Sequence, residues 1–251
     1  MNLESLPVAS LPEMAKIWQQ TFNWQPTNQQ QRQFQQLYEL ILEGNRQLNL
    51  TRITEPEEFW EKHLWDSLKG IAPKQQFIPF LSQNASVIDI GTGAGFPGVA
   101  ICIIFLSCHV TFLDSTRKKI NFIDTVVSNL SLTNAKTLIG RAEEIGHKND
   151  HRENYDLAVI RAVGSASACA EYSLPLVKKG GLAVIYRGSW TEEENQTLEN
   201  AVKQLGGIVE LIEEFTTPLN KSIRHYLYLR KVKNTSFDFP RAVGIPRQKP
   251  L

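Results

Sequence analysis

The stretch VIDIGTGAGFPGVA, residues 87–100, constrains this chain more than any other. Val87, Ile88 and Ile90 around Asp89 read as a buried strand, and glycines follow at 91, 93 and 95. Glycine costs backbone entropy in regular structure, so such a cluster belongs where the chain turns tightly or lets another group approach the backbone. Pro97 suits the first turn of a helix, where its missing N–H is no loss. Strand, glycine turn and helix start together make a cradle for a small molecule.

From residue 86 onward strand and helix signals alternate, which predicts a parallel sheet. The expected parallel strands are SVIDI (86–90), HVTFLD (109–114), KTLIG (136–140), YDLAVIRA (155–162) and, after a KKGG turn, LAVIYRG (182–188). A helix follows in TEEENQTLENAVKQLGG, with Thr191 and Glu194 spaced as a capping box and Gly206–Gly207 as the stop. IVELIEEF and HYLYLRKV have only a short link between them, which predicts an antiparallel hairpin at the sheet edge. The fold class is therefore α/β: a doubly wound, Rossmann-like sheet of about seven strands, the last pair antiparallel, with an N-terminal helical extension. The expected division is an extension over 1–75, a core over 76–235 and a basic tail over 236–251 packed on or near that core. In the extension, Phe34, Leu37, Tyr38, Ile41 and Leu42 recur at helical spacing, with Gly44 as the stop. A second helix spans EPEEFWEKHLWDSLKG, with Pro56 early and Gly70 at its end.

At 251 residues, 42% apolar and 21% charged, the chain can bury one sizeable core. Its longest apolar run, VAICIIFL (99–106), is too short to span a bilayer and reads as a core helix. MNLESLPVASLPEMAK carries Glu4 and no basic, apolar leader, so the expected location is the cytoplasm. Cys102, Cys108 and Cys169 lack CxxC spacing and are expected as small buried thiols, with no metal site. The net charge of +1 does not by itself suggest a nucleic-acid partner. Its distribution is uneven: from Lys221 onward eight Lys and Arg stand against one acid, Asp238. That segment is either a phosphate-facing surface or a solvated tail.

The glycine loop allows two registers. From Gly93, GAGFPG fits the dinucleotide fingerprint; from Gly91, GTGAG fits the loop of S-adenosylmethionine enzymes. In the dinucleotide motif the first glycine closes the strand, and counted from Gly91 the third falls on Phe96. Asp114 ends the second strand, 19 residues after Gly95, where a carboxylate accepts hydrogen bonds from the ribose of either cofactor or caps the next helix. Arg141-Ala142-Glu143 lies where an adenine edge would be read, and Arg161 ends the fourth strand, pointing into the same crevice. His63 and Asp66 share a helix face and are expected as a hydrogen-bonded pair. Strand four ends in IRAVG and carries no signature for amine methylation; G-x-S-x-G, HExxH and P-loop motifs are absent from the sequence.

With NLTRI (49–53), HLWDSL (63–68), DIGTGAGFPG (89–98), LDSTRKK (113–119), GRAEE (140–144), RAV (161–163) and FPRAVGIPRQKPL at its C-terminus, the chain resembles the ribosomal RNA small-subunit methyltransferase G family, also called glucose-inhibited division protein B, from about residue 35 to 251. The resemblance implies an S-adenosyl-L-methionine-dependent enzyme that methylates guanine N7 in 16S rRNA, its partner being that RNA or the small ribosomal subunit. It implies cofactor contacts at Gly91, Phe96, Asp114, Ser115, Thr116, Ala142, Glu143 and Arg161; the loop adds Asp89, Gly93 and Gly95. Position 114 is Asp where a longer Glu is common, and Arg187-Gly188 stands where lysine precedes glycine.

Guanine N7 is unprotonated and carries an in-plane lone pair, so the reaction needs alignment and no general base. The absence of an acid–base pair therefore agrees with the resemblance. Arg161, Asn49, His63 and Asp66 are the positioning candidates. Arg161 is expected to face a phosphate, the methionine carboxylate or guanine O6, because a bare cation beside the transferring methyl would oppose existing positive charge. Arg52, Arg187, Arg241, Arg247 and Lys249 are the RNA-binding candidates, with Phe237 and Phe239 interleaved for stacking. Two other classes remain at this stage: an NAD-binding oxidoreductase, and a non-catalytic RNA-binding factor.

Overall fold

Apolar residues alternate along the strands so that successive side chains face opposite ways, and both faces of the sheet are covered. The computed structural model describes residues 9–72 and 78–251. The expected boundary at 75 lies outside the described residues.

Two helices come first, α1 (Ala15–Phe22) and α2 (Asn28–Leu48). α2 starts at a capping box in which the Thr27 hydroxyl accepts from Gln30 N–H while the Gln30 side chain accepts from Thr27 N–H. It does not stop at Gly44. It runs on to Leu48, and Asn49 ends it in the left-handed region at φ 48°. Gly44 serves packing instead, since a Cβ there would meet the Phe122 ring at 2.4 Å. Next comes a rod in three parts: α3 (Pro56–Phe59), a π-helical stretch (Trp60–Trp65) and α4 (Asp66–Lys69). Pro56 opens the rod as expected. The π stretch is marked by Asp66 N–H donating back to Glu61 C=O, a five-residue step.

The sheet then builds as β1 (Ser86–Ile90), α5 (Gly98–Ile104), β2 (His109–Asp114), α6 (Arg117–Asn129), β3 (Ala135–Ile139), α7 (Ala142–Ile145), β4 (Tyr155–Arg161) and α8 (Ala166–Ser173). It finishes with β5 (Val177–Arg187), α9 (Glu192–Gln204), β6 (Gly207–Thr216), β7 (Ile223–Lys231) and the short α10 (Ile245–Gln248). Its order is β3-β2-β1-β4-β5-β7-β6, with β7 antiparallel to both neighbours. The KKGG segment is no turn. It belongs to β5, which starts at Val177, and the register against β4 shifts between Tyr155 and Leu157.

Val87, Leu157, Val159, Leu182, Val184, Tyr226 and Tyr228 face a core shared with α1, α2, the rod, α5 and α6. Ile88, Ile90, Ala158, Ile160, Ala183, Ile185, Leu227 and Leu229 face the other layer, with α8 and α9. Arg161 follows Val159 in the two-residue period and so points to the side of the N-terminal helices. The rod is fixed over that face by two tyrosines: Tyr186 Oη donates to Ser67 C=O at 2.7 Å, and Tyr226 Oη donates to the Asp66 carboxylate at 2.8 Å. Strand order reverses between β1 and β4, and the crevice beyond their carboxyl ends is where such sheets bind ligands. No described helix is long and apolar enough to cross a membrane. Among the described residues no group of three or more His, Cys, Asp or Glu could hold a metal ion. All three cysteines are free and buried.

Candidate functional site

The loop after β1 has the backbone that its glycines permit. Gly91, Gly93 and Gly95 have φ of 67°, 57° and 99°, a region that costs other residues about 1–2 kcal/mol. A Cβ on Gly91 would strike Val163 at 2.6 Å, and one on Gly95 would strike Val99 at 2.7 Å. At Gly93 the only neighbour within 4 Å is the Gly91 carbonyl, at 3.8 Å. Two glycines thus allow close packing, and the third keeps space open.

Asp89 organises this loop from behind. Its Oδ2 accepts from Thr92 Oγ1 at 2.7 Å and from Gly98 N–H at 3.0 Å. Its Oδ1 is buried without a partner. Burial pushes the carboxyl up to about 6, against those two hydrogen bonds. Asp89 and Gly95 shape this loop from behind, and neither is among the residues lining the two cavities at the strand ends. Pro97 sits one position ahead of the helix, as the N-cap of α5.

Two cavities meet at the strand ends. The smaller, about 240 Å³, lies beyond β1, β2 and β3, between Ile90, Leu113 and Val163 on its apolar side and Asp114, Ser115, Thr116, Ala142 and Glu143 on its polar side. The larger, about 600 Å³, lies between the glycine loop and the rod; Phe96, His63, Asp66, Arg161, Arg187 and Arg224 line it. Gly91, Lys119 and Ala162 line both. Asp114 stands at the junction. Its Oδ2 accepts from Gly93 N–H at 3.1 Å and its Oδ1 from Thr116 N–H at 2.8 Å. It therefore secures the start of α6, and each oxygen keeps acceptor capacity for a vicinal diol. Glu143 is held by Arg141 at 2.8 Å and by Gly244 N–H at 3.0 Å. Burial works to raise its carboxyl, but these hydrogen bonds outweigh it and hold it below the usual range.

The wall of the larger cavity is a connected cluster. Arg161 Nη1 donates to Lys62 C=O at 3.0 Å and to Asp66 Oδ2 at 3.1 Å, and its Nη2 lies 3.4 Å from His63 Nδ1. His63 Nε2 is 2.9 Å from Thr51 Oγ1. The imidazole stacks on Phe96, with centroids 4.5 Å apart and planes 7° apart, and Arg161 lies over the same ring. Burial, reinforced by Arg161 and Lys62, holds His63 well below 6.5, so it is neutral at physiological pH. The hydrogen bond that spacing predicted between His63 and Asp66 is not formed. Both are bonded to Arg161, because the sheet brings that guanidinium between them. Ala162 follows with φ 57°, unusual for a residue bearing Cβ, and this turn sets Val163 against Gly91.

The remaining candidates scatter. Asn49 is the left-handed end of α2 and does not line the cleft; Arg52, just beyond, is exposed. Arg187 lines the larger cavity but donates to Gly164 C=O and to Glu194. Arg241 is half-buried, its guanidinium closed on the buried Glu171 at 2.6–3.1 Å. Phe237 is exposed, with Arg152 against its ring, while Phe239 packs on the second core. Lys249 is exposed, and Arg247 lines the smaller cavity. Lys62 and Tyr186 line the cleft without a sequence signal to mark them, Lys119 and Arg224 were marked only as part of a motif and of the basic segment, and Ala162 has no signal either, since alanine does not advertise a left-handed backbone.

The chain matches the family model described as rRNA small subunit methyltransferase G over residues 30–226. It is 72% identical over 241 residues to the "Ribosomal RNA small subunit methyltransferase G" of Trichormus variabilis, covering 96% of this chain and 98% of that one. The protein of the same name from Nostoc punctiforme is 64% identical over 246 residues, with the same coverage. Among solved structures, a variant of the 16S rRNA (adenine(1408)-N(1))-methyltransferase from Catenulisporales acidiphilia superposes with a TM-score of 0.51 at 14% identity, over 62% of this chain and 88% of that one. The antibiotic-resistance methyltransferase Kmr gives a TM-score of 0.52 at 12% identity, over 62% and 91%. These two likenesses are of fold.

Proposed function

The chain belongs to the rRNA small subunit methyltransferase G family, and on that premise we propose that it transfers a methyl group from S-adenosyl-L-methionine to N7 of a guanine in 16S rRNA, in the cytoplasm. The observation that carries this reading is the two-part cleft at the switch point of the sheet. One half suits a nucleoside and the other has room for a base and an amino-acid tail. The residues present fit the cofactor. Apolar Ile90, Leu113 and Val163 suit a purine face, Asp114 has acceptor capacity for two ribose hydroxyls, and Gly93 leaves open the space that a Cβ would take. The register from Gly91 agrees: it leaves β1 directly, and Phe96 fills the third fingerprint position with a buried ring stacked on His63.

When bound, S-adenosyl-L-methionine supplies an electrophilic methyl group on a sulfonium. The acceptor nitrogen has a lone pair and no proton, so the protein's task is alignment. His63 is neutral and engaged by Thr51 and Arg161, which makes it a fixed element of the wall and not a base. Asp66 balances Arg161, so this guanidinium is not a bare cation set against the positive charge of the reacting centre. Arg161 thereby positions the wall through Phe96, His63 and Asp66, while Lys119 and Arg224 supply positive charge toward an RNA backbone.

The test is transfer of labelled methyl to small ribosomal subunits from cells lacking this gene, with the product mapped by base. Label on a guanine N7 of 16S rRNA is the expected result. Label on another atom, or none from folded protein that binds the cofactor, overturns the proposal.

A further inference from the structure

Arg247 lies outside the segment matched by the family model, in the short α10, yet it lines the nucleoside half of the cleft. Among the described residues its guanidinium has no hydrogen-bond or ion-pair partner. The tail that carries it is fastened along its length. Arg152 donates to the carbonyls of Gly146, Thr235, Ser236 and Phe239 at 2.8–3.0 Å. His147 Nε2 is 2.7 Å from Pro240 C=O, Arg241 closes on Glu171, and Gly244 N–H holds Glu143, itself a wall of the cavity. Leu251 packs on the second core. Such anchoring on both sides of one unpartnered cation is more than is needed to secure a chain end.

We infer that this tail is the outer wall of the nucleoside half of the cleft, and that Arg247 binds the cofactor by laying its guanidinium against the purine. The inference rests on the S-adenosyl-L-methionine reading above. Of the two other cations lining this cavity, Arg141 is neutralised by Glu143 at 2.8 Å and Lys119 lies 3.9 Å from the Asp114 carboxylate. A guanidinium is flat and weakly hydrated, and it stacks on aromatic faces where an ammonium makes only a point contact. The adenine ring is neutral and offers such a face. The tail is ordered by its own contacts before any ligand arrives, so little ordering cost attends binding. Arg247 is thus removed from the RNA-gripping set in which its charge had placed it.

The test is calorimetric titration of S-adenosylhomocysteine and of adenosine into the full chain, into Arg247→Ala and into Arg247→Lys, alongside the affinity of each for a 16S rRNA fragment. Arg247→Ala is expected to weaken both nucleosides by a similar factor, several-fold to about tenfold, while RNA affinity and the unfolding temperature of the free protein stay unchanged. Arg247→Lys is expected to weaken them as well, since it keeps the charge and loses the plane. Unchanged nucleoside affinity in Arg247→Ala overturns the inference, whatever happens to RNA binding. Full affinity in Arg247→Lys overturns the stacking contact. A wild-type chain that binds neither nucleoside would instead sink the cofactor reading itself.

Discussion

Arg161 and Asp66, 95 positions apart in the chain, meet at 3.1 Å where the tip of β4 reaches the rod. Their side chains are 17% and 9% exposed, so each charge depends on the other for its solvation. Asp66 also accepts from Tyr226, which ties the pair to β7. Breaking a buried pair by removing one member leaves an uncompensated charge and costs about 3–5 kcal/mol. Asp66→Asn is expected to lose stability at the lower end of that range in urea denaturation. Combining it with Arg161→Met should cost less than the sum of the two single changes. Strict additivity would show that the two side chains are not coupled.

The glycine loop gives two substitutions with different outcomes. Gly91→Ala forces a Cβ into Val163 at 2.6 Å and strains a left-handed backbone, so it should lower the unfolding temperature markedly. Gly93→Ala meets no such clash and should cost only about 1–2 kcal/mol of backbone strain. Its larger effect is expected in S-adenosylhomocysteine affinity, because the added methyl group occupies the cleft. Calorimetric titration and thermal unfolding of both variants separate the two effects.

Asp89 predicts a pH dependence. Burial raises its carboxyl from 3.8 to about 6, so the folded state holds this proton more tightly than the unfolded state does. The resulting stability is fully present below about pH 4 and is lost as pH rises through about 6, worth up to about 3 kcal/mol. Asp89→Asn does not titrate. Its stability relative to wild type is therefore expected to improve between about pH 4 and 6 and to level off above about 7. Parallel pH profiles for the two proteins would remove Asp89 as the source.

Two arginines of the basic segment are expected to separate structure from RNA contact. Arg241→Ala leaves the buried Glu171 without its counter-charge, holding only the residue-241 backbone N–H at 2.7 Å, and should cost about 3 kcal/mol, with the salt dependence of RNA binding unchanged. Arg224→Ala should leave stability nearly intact and lower the salt slope by about one, as loss of a single phosphate contact does. Denaturant melts and RNA titrations across salt concentrations measure both.

The strands, the capping box at Thr191, the glycine cradle and the antiparallel last pair were legible because each is written in local chemistry. Periodicity places side chains on faces, and glycine and proline mark where the backbone must turn. Gly44 misled because a glycine chosen for closeness to Phe122 looks the same in sequence as one that ends a helix. The KKGG run misled for a similar reason, since a strand irregularity and a turn share their residues.

The basic C-terminal segment shows where local chemistry stops deciding. Arg230 is paired with Glu210, Arg241 with Glu171, and Lys231 is buried against Leu174 C=O, Thr235 and Glu153. Burial lowers Lys231 to about 8. What counts as a run of positive charge in the sequence is, in three of its eight members, already paired within the fold. The sequence alone determined the sheet, the cradle at its switch point and the family to which they belong, because those follow from spacing and backbone preference. Which charges face the cleft was decided by the tertiary structure, since a charge takes its role from partners that the fold brings from far along the chain, and those distances have no period to read.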